Sequence, residues 1–178
     1  LAEGASLLAV CCGTGALLAA LRERYTVSGC DPYDARLALA RRRLSGVPLW
    51  QSTADGVSTE WPVDAVLLCE LDHLSSERLI AALTAARDLL SPGGCIIALP
   101  GATPTDLPAG TALMDLHDGE GLKIVRSAVV RRTGSRALLD QHWMIARDQQ
   151  GVETFIERHT IFLHSANDIA QAMDRCGF

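Results

Sequence analysis

The sequence predicts an α/β fold in which a doubly wound, mostly parallel sheet is followed by an antiparallel β insertion after the fifth strand. Two observations lead to this prediction. In residues 1–101, short apolar runs alternate with helical patterns, which is typical of a parallel sheet covered by helices on both faces. In residues 111–163, after a loop rich in Pro, Gly and Thr at 101–110, apolar and polar residues alternate in period two between glycine-containing turns, which indicates antiparallel strands.

The first region supplies five strands and three helices, which alternate except that no helix is predicted between the third and fourth strands. The fourth strand is continuously apolar after Asp64, so we expect it to be buried on both faces. A Ser-Ser-Glu start opens the third helix, and a turn at residues 91–94 is expected to stop it. The predicted strands are 6–11, 26–30, 48–51, 63–69 and 95–99, and the predicted helices are 16–25, 32–44 and 75–90.

The second region supplies three long strands and leads into a last helix. The strands are predicted at 122–130, 137–146 and 154–163. The helix, 165–176, starts at Ser165 as its N-cap and ends before Gly177. We therefore divide the chain into a core (1–101), an antiparallel insertion (102–164) and a closing helix of the core (165–178).

Composition excludes several classes of protein. The chain has 178 residues with 16 basic and 21 acidic side chains, and its net charge of −5 argues against nucleic-acid binding. No apolar run reaches ~18 residues, so no membrane span is expected. Its cysteines form no C-x-x-C pair, which leaves zinc and thioredoxin-like sites without their spacing. We interpret them as small hydrophobic residues in a reducing, cytoplasmic protein, with reactive-thiol chemistry as the alternative.

The first strand–turn–helix unit predicts a binding site. Gly13 and Gly15 lie between the first strand and the first helix, where glycines let a ligand approach the backbone closely. Asp31 ends the second strand, where a carboxylate can accept both hydroxyls of a ribose. Together they predict a ligand that contains a nucleoside. Alternatively, the glycines only make a tight turn and Asp31 only caps the next helix.

Four segments carry a resemblance to a known family: residues 7–15 (Leu-Leu-Ala-Val-Cys-Cys-Gly-Thr-Gly), 29–31, 63–66 and 90–94. They resemble the first motif, the second-strand acid, the fourth strand and the turn before the fifth strand of class I S-adenosylmethionine-dependent methyltransferases. The resemblance implies a Rossmann-like core that binds S-adenosylmethionine and releases S-adenosylhomocysteine. The cofactor-binding residues it implies are Cys11, Gly13, Thr14, Gly15, Asp31, Pro32, Asp55 and Cys69.

A narrower resemblance covers the antiparallel strands. Residues 141–143 (Gln-His-Trp), Gly151, residues 157–159 (Glu-Arg-His) and Leu163 are similar to small-molecule N-methyltransferases of nucleotide-linked amino sugars. In that group the antiparallel strands shape the acceptor side. The resemblance implies a small-molecule acceptor such as an amine, an enzyme of secondary metabolism, and a homodimer formed through the antiparallel strands. His142 and His159 become candidate acceptor-binding residues.

Three features depart from the family pattern. The acid that the family carries in its first motif is replaced by Ala9, and Thr53 stands where an acid often meets the adenine, although Asp55 is nearby. The family's N-terminal lid helices and last two sheet strands have no counterpart in these residues. We expect these departures to affect cofactor affinity more than the fold.

The segment after the fourth strand holds the candidate chemistry. His73 is our candidate general base or acceptor-orienting group, because histidine is the residue type best suited to proton transfer at physiological pH; the alternative is a histidine that fixes the loop or caps the next helix. Glu70 or Asp72 would attract an amine cation, unless both are ordinary loop carboxylates. No metal site is predicted, because three histidines would have to converge.

Two further functions stay open. Ala9 also fits a methyltransferase-like protein that binds a ligand or catalyses a reaction without methyl transfer. A nicotinamide-dependent oxidoreductase is the third hypothesis, although Leu18 stands where its third glycine would be.

Overall fold

The computed structural model describes all 178 residues and divides them into two compact units. The first unit comprises Leu1–Gly101 together with Ala166–Phe178, and the second comprises Ala102–Ser165. No helix in either unit is long and apolar enough to cross a membrane.

The first unit contains a five-stranded parallel sheet in the order β3-β2-β1-β4-β5. This arrangement, with the antiparallel sheet that follows it in the chain, confirms the predicted fold class. The strands are β1 (Ser6–Val10), β2 (Thr26–Asp31), β3 (Leu49–Gln51), β4 (Val63–Cys69) and β5 (Leu90–Leu99). The helices are α1 (Ala16–Leu21), α2 (Asp34–Arg43), α3 (Ser76–Asp88) and α4 (Ala166–Arg175).

Alternate residues of the central strands enter two separate apolar cores. Leu8 and Val10 of β1 pack on the face that α3 and α4 cover. Leu7 and Ala9 pack on the opposite face, against Leu18 of α1. Because successive side chains of a strand point to opposite faces, a continuous apolar run is what a sheet covered on both sides requires. The central strands β1 and β4 are therefore packed against an apolar core on each face of the sheet.

Several boundaries differ from the predicted ones. Helix α1 ends at Leu21, four residues early, and the turn that follows bonds Tyr25 N–H to the Leu21 carbonyl at 3.1 Å. Strand β5 begins at Leu90 instead of residue 95, since Leu90 pairs with Val63 while Cys95 pairs with Ala65. The predicted turn at 91–94 is thus an irregularity within the β4–β5 pairing. Ser75 caps α3, where its Oγ accepts a hydrogen bond from Arg78 N–H at 3.4 Å.

The second unit is a four-stranded antiparallel sheet whose strands follow in chain order. They are β6 (Ala112–Gly119), β7 (Leu122–Thr133), β8 (Arg136–Arg147) and β9 (Gly151–Phe162). Strand β6 was not among the predicted strands, because nearly all of its residues are exposed and it has no buried face to generate a clear pattern. A small apolar core at one end of the sheet includes Leu107, Val130 and Ile161.

Candidate functional site

The turn between β1 and α1 has three residues in the left-handed backbone region. Their φ angles are 57° at Cys11, 58° at Gly13 and 75° at Gly15. A Cβ atom on Gly15 would lie 2.6 Å from Leu44 Cδ1, so glycine is needed there for α1 to pack closely. A Cβ atom on Gly13 would meet only Glu70 Oε1, at 4.0 Å. The turn therefore has no space for a side chain at Gly15, whereas the space next to Gly13 is open.

Asp31, the last residue of β2, is fully buried and holds this turn in place. Its Oδ2 accepts a hydrogen bond from Gly13 N–H at 2.9 Å, and its Oδ1 accepts one from Tyr33 N–H at 2.9 Å. Asp31 thus links the glycine turn to the start of α2. Its two carboxylate oxygens can each still accept one more hydrogen bond.

A cleft of about 380 Å³ opens beside the glycine turn, at the carboxyl ends of β1, β4 and β5. This is the sheet edge where ligands of open α/β sheets bind, and the volume falls within the ~300–1,000 Å³ of typical small-molecule sites. The residues that line it are Cys11, Cys12, Gly13, Thr14, Ala16, Leu17, Cys69, Glu70, Leu99, Pro100 and Gly101.

Glu70 brings a carboxylate to the cleft from the end of β4. Its backbone is left-handed, with φ 53° and ψ 47°, which is uncommon for a residue with a side chain. Its Oε2 accepts a hydrogen bond from Arg36 Nη1 at 2.7 Å. The same Arg36 nitrogen lies 4.0 Å from Asp31 Oδ2. One guanidinium therefore stands between the two carboxylates of the site.

The thiols around the cleft are poor nucleophiles. Burial, together with the nearby negative charge of Asp31, raises the pKa of Cys11 and Cys12 to about 12. Burial likewise raises the pKa of Cys30 to about 12 and that of Cys69 to about 11. All six cysteines of the chain are free. The thiolate is the reactive form of cysteine, and the raised pKa values disfavour it. They therefore favour the interpretation of these cysteines as small apolar side chains over reactive-thiol chemistry.

Comparisons with known proteins bear on this cleft. Residues 7–94, which contain the glycine turn, Asp31 and Glu70, match the profile of a family described as "Methyltransferase domain". A dTDP-3-amino-3,6-dideoxy-alpha-D-glucopyranose N,N-dimethyltransferase of Streptomyces fradiae is 27% identical over 98% of this chain and 70% of its own length. Residues 7–94 are therefore a methyltransferase domain, and the resemblance to class I S-adenosylmethionine-dependent methyltransferases is confirmed.

Two solved structures are similar to the methyltransferase over nearly its whole length. DesVI of Streptomyces venezuelae has a TM-score of 0.90 and 26% identity, covering 98% of this chain and 76% of its own. The second is CalS10, an amino pentose methyltransferase from Micromonospora echinaspora solved with S-adenosylmethionine bound, with a TM-score of 0.86 and 28% identity. That match covers 98% of this chain and 75% of CalS10. These matches support S-adenosylmethionine as the cofactor. The non-methylating alternative gains no support.

The residues of the cleft fit this cofactor. Gly13 leaves the turn open toward the cleft, and the paired oxygens of Asp31 have acceptor capacity that matches two ribose hydroxyls. Because Asp31 has no exposed surface and Arg36 lies 4.0 Å from its Oδ2, a ribose reaches this carboxylate only if a neighbouring side chain moves.

The structure brings only some of the predicted cofactor residues together. Cys11, Gly13, Thr14 and Cys69 line the cleft, and Asp31 lies directly behind Gly13. Gly15 belongs to the turn but faces Leu44. Pro32 follows Asp31, and its carbonyl accepts a hydrogen bond from Gln51 Nε2 at 2.8 Å. Asp55 is not among the cleft-lining residues, and its carboxylate is held by Arg78.

His73 lies beside the cleft and contacts its acid. The histidine follows Glu70 in a short 3₁₀ turn, Leu71–His73, and its side chain is 48% exposed. Its Nε2 is 3.8 Å from Glu70 Oε2. His73 therefore lies next to Glu70 and is accessible to solvent, and its catalytic role stays a prediction.

The other two predicted acceptor residues, His142 and His159, lie on opposite faces of the antiparallel sheet. His142 pairs with Ile156, whereas His159 pairs with Leu139, three positions away along β8. His142 lines a concavity of about 580 Å³ with Ser127, Met144 and other residues of that face. His159 Nε2 lies 3.5 Å from Glu157 Oε2 on the other face. His142 lines this concavity and His159 does not, and the roles of both stay predictions.

Sequence reasoning missed Arg36 and Arg78, the two arginines that hold the acids of this region. Arg36 contacts a residue 34 positions away, and Arg78 one 23 positions away. Such partners leave no local pattern in a sequence. The only available signal is the position of each arginine near the start of a helix that follows a strand of the parallel sheet.

Proposed function

We propose that this methyltransferase methylates the amine of a nucleotide-linked amino sugar. The observation that carries the proposal is the Glu70 carboxylate, which lines the cleft beside the glycine turn. An amino sugar is a cation near neutral pH, and a carboxylate on the cleft wall attracts it. The S. fradiae relative, whose name gives a dTDP-linked 3-amino sugar as its substrate, supports this class of acceptor.

We assign the cofactor to the glycine-turn side of the cleft. The paired oxygens of Asp31 are proposed to bind the ribose hydroxyls, with Pro32 alongside. The backbone of Cys11, Gly13 and Thr14, together with Cys69, is proposed to contact the rest of the molecule. Gly15 acts indirectly, since its missing side chain lets α1 pack against Leu44.

Glu70 and His73 divide the acceptor chemistry between them. When bound, S-adenosylmethionine supplies a methyl carbon on a sulfonium, so that the new N–C bond forms as the C–S bond breaks and its electron pair stays on sulfur. Glu70 binds the amine and orients it. His73 accepts the proton that the amine must lose and passes it to solvent, as its exposure allows. In-line alignment of the groups, rather than a strong base, supplies most of the rate enhancement.

The test is methyl transfer to the substrate named for the S. fradiae relative. The protein is incubated with S-adenosylmethionine carrying a labelled methyl group and with dTDP-3-amino-3,6-dideoxy-α-D-glucopyranose. We expect label in the sugar nucleotide and none in a matched compound with a hydroxyl group at C3. His73→Gln is expected to lower kcat by about a hundredfold while leaving S-adenosylhomocysteine binding intact.

The outcomes separate the acceptor from the cofactor. Transfer to the amine but not to the hydroxyl compound supports the proposal. Binding of S-adenosylhomocysteine without transfer to the amine contradicts the amino-sugar acceptor and leaves the methyltransferase assignment in place. A kcat for His73→Gln equal to that of the wild type removes the histidine from the chemistry.

We also propose a homodimer through the antiparallel sheet. One face of this sheet, here called the methionine face, carries the apolar side chains of Met114, Leu116, Val125, Met144, Val152 and Ile156, as the strand register shows. Leu116 is 70% exposed and Ile156 is 63% exposed. The same face has the pair Asp118–Lys123 at one end and Asp140–Arg158 at the other. We propose that a second copy of the chain covers this face. Each end of the face carries one acidic and one basic side chain, so opposite charges can meet when two copies pair symmetrically.

Light scattering after size-exclusion chromatography tests the dimer. Leu116→Glu should convert it to a monomer, whereas His117→Glu, on the opposite face of the same strand, should not. A wild-type protein that is monomeric at ~100 μM would contradict the proposed homodimer, since a stable protein–protein interface has a far lower Kd.

We further propose that the protein works in the cytoplasm and does not bind nucleic acid. Six unpaired cysteines suit a reducing compartment, and a net charge of −5 disfavours phosphate backbones. Cell fractionation and a gel-shift assay at low salt test the two statements.

A further inference from the structure

Arg36 contacts both carboxylates to which the proposed function assigns ligands. Its Nη1 donates to Glu70 Oε2 at 2.7 Å and lies 4.0 Å from Asp31 Oδ2. Its guanidinium also covers the ring of Tyr33, with 5.1 Å from Cζ to the ring centroid. Partial burial works to lower the pKa of Arg36, but the hydrogen bond that it donates to Glu70 and the charges of Glu70 and Asp31 leave the pKa above its usual value. Arg36 is therefore a fixed positive charge.

This charge determines where Glu70 points. Glu70 begins the short turn after β4, and its unusual left-handed backbone directs the side chain toward the cleft. Arg36 binds Oε2 only, while Oε1 faces the glycine turn, 4.0 Å from the place of a Cβ on Gly13. One carboxylate oxygen is thus held by the protein and the other is presented to the cleft. Without Arg36, Glu70 would keep its contact with His73, whose Nε2 is 3.8 Å from Glu70 Oε2.

We propose that Arg36 is a positioning residue that holds Glu70 over the glycine turn and so selects acceptors with a cationic amine. The inference rests on the proposed function, because it takes Glu70 as the group that binds the amine. It adds a residue that touches neither ligand and acts through Glu70. Arg36 is expected to contribute little to cofactor affinity, since two backbone N–H groups already fix the Asp31 carboxylate.

The chain offers a matched control on the same helix. Arg41 also lies on α2 and pairs with an acid, Asp34, at 3.1 Å, but it contacts neither Asp31 nor Glu70. Arg36→Met and Arg41→Met therefore remove the same charge. The first removes the ion pairs with Glu70 and Asp31, and the second removes the ion pair with Asp34. Arg36→Lys keeps the charge at position 36 and removes the planar guanidinium, so it should be intermediate.

The experiment measures binding by calorimetry on the full chain loaded with S-adenosylhomocysteine. The probes are dTDP-3-amino-3,6-dideoxy-α-D-glucopyranose and its analogue with a hydroxyl at C3. We expect Arg36→Met to weaken binding of the amine probe by about tenfold and to leave the hydroxyl probe unchanged. Arg41→Met should change neither probe. Glu70→Gln should match Arg36→Met, and the double variant should bind no worse than either single one.

Each outcome decides a different question. Equal binding of the amine probe by wild type and Arg36→Met overturns the inference and leaves the proposed function standing. The same follows if Arg36→Met weakens both probes alike, since a general structural effect has no preference for the amine. A wild-type protein that binds S-adenosylhomocysteine but not the amine probe overturns the proposed acceptor, and the role of Arg36 with it.

Discussion

Arg78 holds both oxygens of Asp55 in a two-point contact. Its Nε lies 3.1 Å from Oδ2, and its Nη2 lies 2.9 Å from Oδ1. The hydrogen bond from Arg78 is the main cause that lowers the pKa of Asp55 to about 2. The contact joins α3 to the 3₁₀ turn Ala54–Gly56 that follows β3. Asp55, which the family resemblance made a candidate cofactor-binding residue, therefore has a structural partner.

We predict that Asp55→Asn destabilises the fold and has little effect on the cofactor. The folded-state pKa of Asp55 lies below its unfolded value of about 3.9, so its contribution is complete above pH ~4 and disappears as the pH falls toward 2. Because Arg78 is 49% exposed, we expect a loss of only about 1 kcal/mol at pH 7. Urea denaturation at pH 7 and pH 2.5 checks this, with Arg78→Gln as control. A tenfold loss of S-adenosylhomocysteine affinity would instead support the adenine contact.

Gly13→Ala and Gly15→Ala should have opposite profiles. Both positions have positive φ, but only at Gly15 would a Cβ collide with Leu44. We expect Gly15→Ala to lower the free energy of unfolding by about 3 kcal/mol and Gly13→Ala by about 1 kcal/mol. Gly13→Ala should weaken S-adenosylhomocysteine binding more strongly, since its methyl group would project into the cleft. Denaturation and calorimetry on both variants test this, and equal affinities would contradict the placement of the cofactor beside Gly13.

Sequence patterns predicted the elements whose side chains alternate between two environments. The strands β1 and β4 were found in this way, because burial on both faces leaves a continuous apolar run. Strand β2, with Asp31 at its end, was found from its place in the alternation of strands and helices. Strand β6 was missed because nearly all of its residues are exposed. The roles of Arg36 and Arg78 were missed because long side chains choose partners across the fold, and nothing in the neighbouring sequence records that choice.

Asp31→Asn should weaken both the fold and the cofactor site. The carboxylate accepts from Gly13 N–H and Tyr33 N–H, whereas an amide can accept from only one of them and turns its own N–H₂ toward the other. We expect a loss of about 1–3 kcal/mol in the free energy of unfolding. Calorimetry below the unfolding transition should show S-adenosylhomocysteine affinity lowered by about tenfold or more. An unchanged affinity would remove Asp31 from the cofactor site and leave it a structural acid.

The cysteines should differ in their reaction with iodoacetamide at pH 8. A thiol with a pKa of about 12, as at Cys11 and Cys12, is ionised on the order of one part in ten thousand at that pH. Cys95 is exposed, so we expect it to be labelled first, followed only on unfolding by buried Cys30. Mass spectrometry of peptides over a time course gives the rates. Labelling of Cys11 as fast as Cys95 would mean that the cleft contains an activated thiol.

Ala9→Asp tests what the missing acid of the first motif means. Ala9 has no exposed surface and packs in the apolar core that contains Leu18, Leu44 and Leu67. An aspartate there buries a charge without a partner, so we expect a loss of about 3–5 kcal/mol in the free energy of unfolding. Ala9→Ser, which adds one hydroxyl, should cost about 1–2 kcal/mol. If Ala9→Asp were as stable as the wild type and bound S-adenosylhomocysteine more tightly, the site would have kept room for the acid. The expected destabilisation would show instead that the core has closed around alanine, so that cofactor binding depends on Asp31 and the glycine turn.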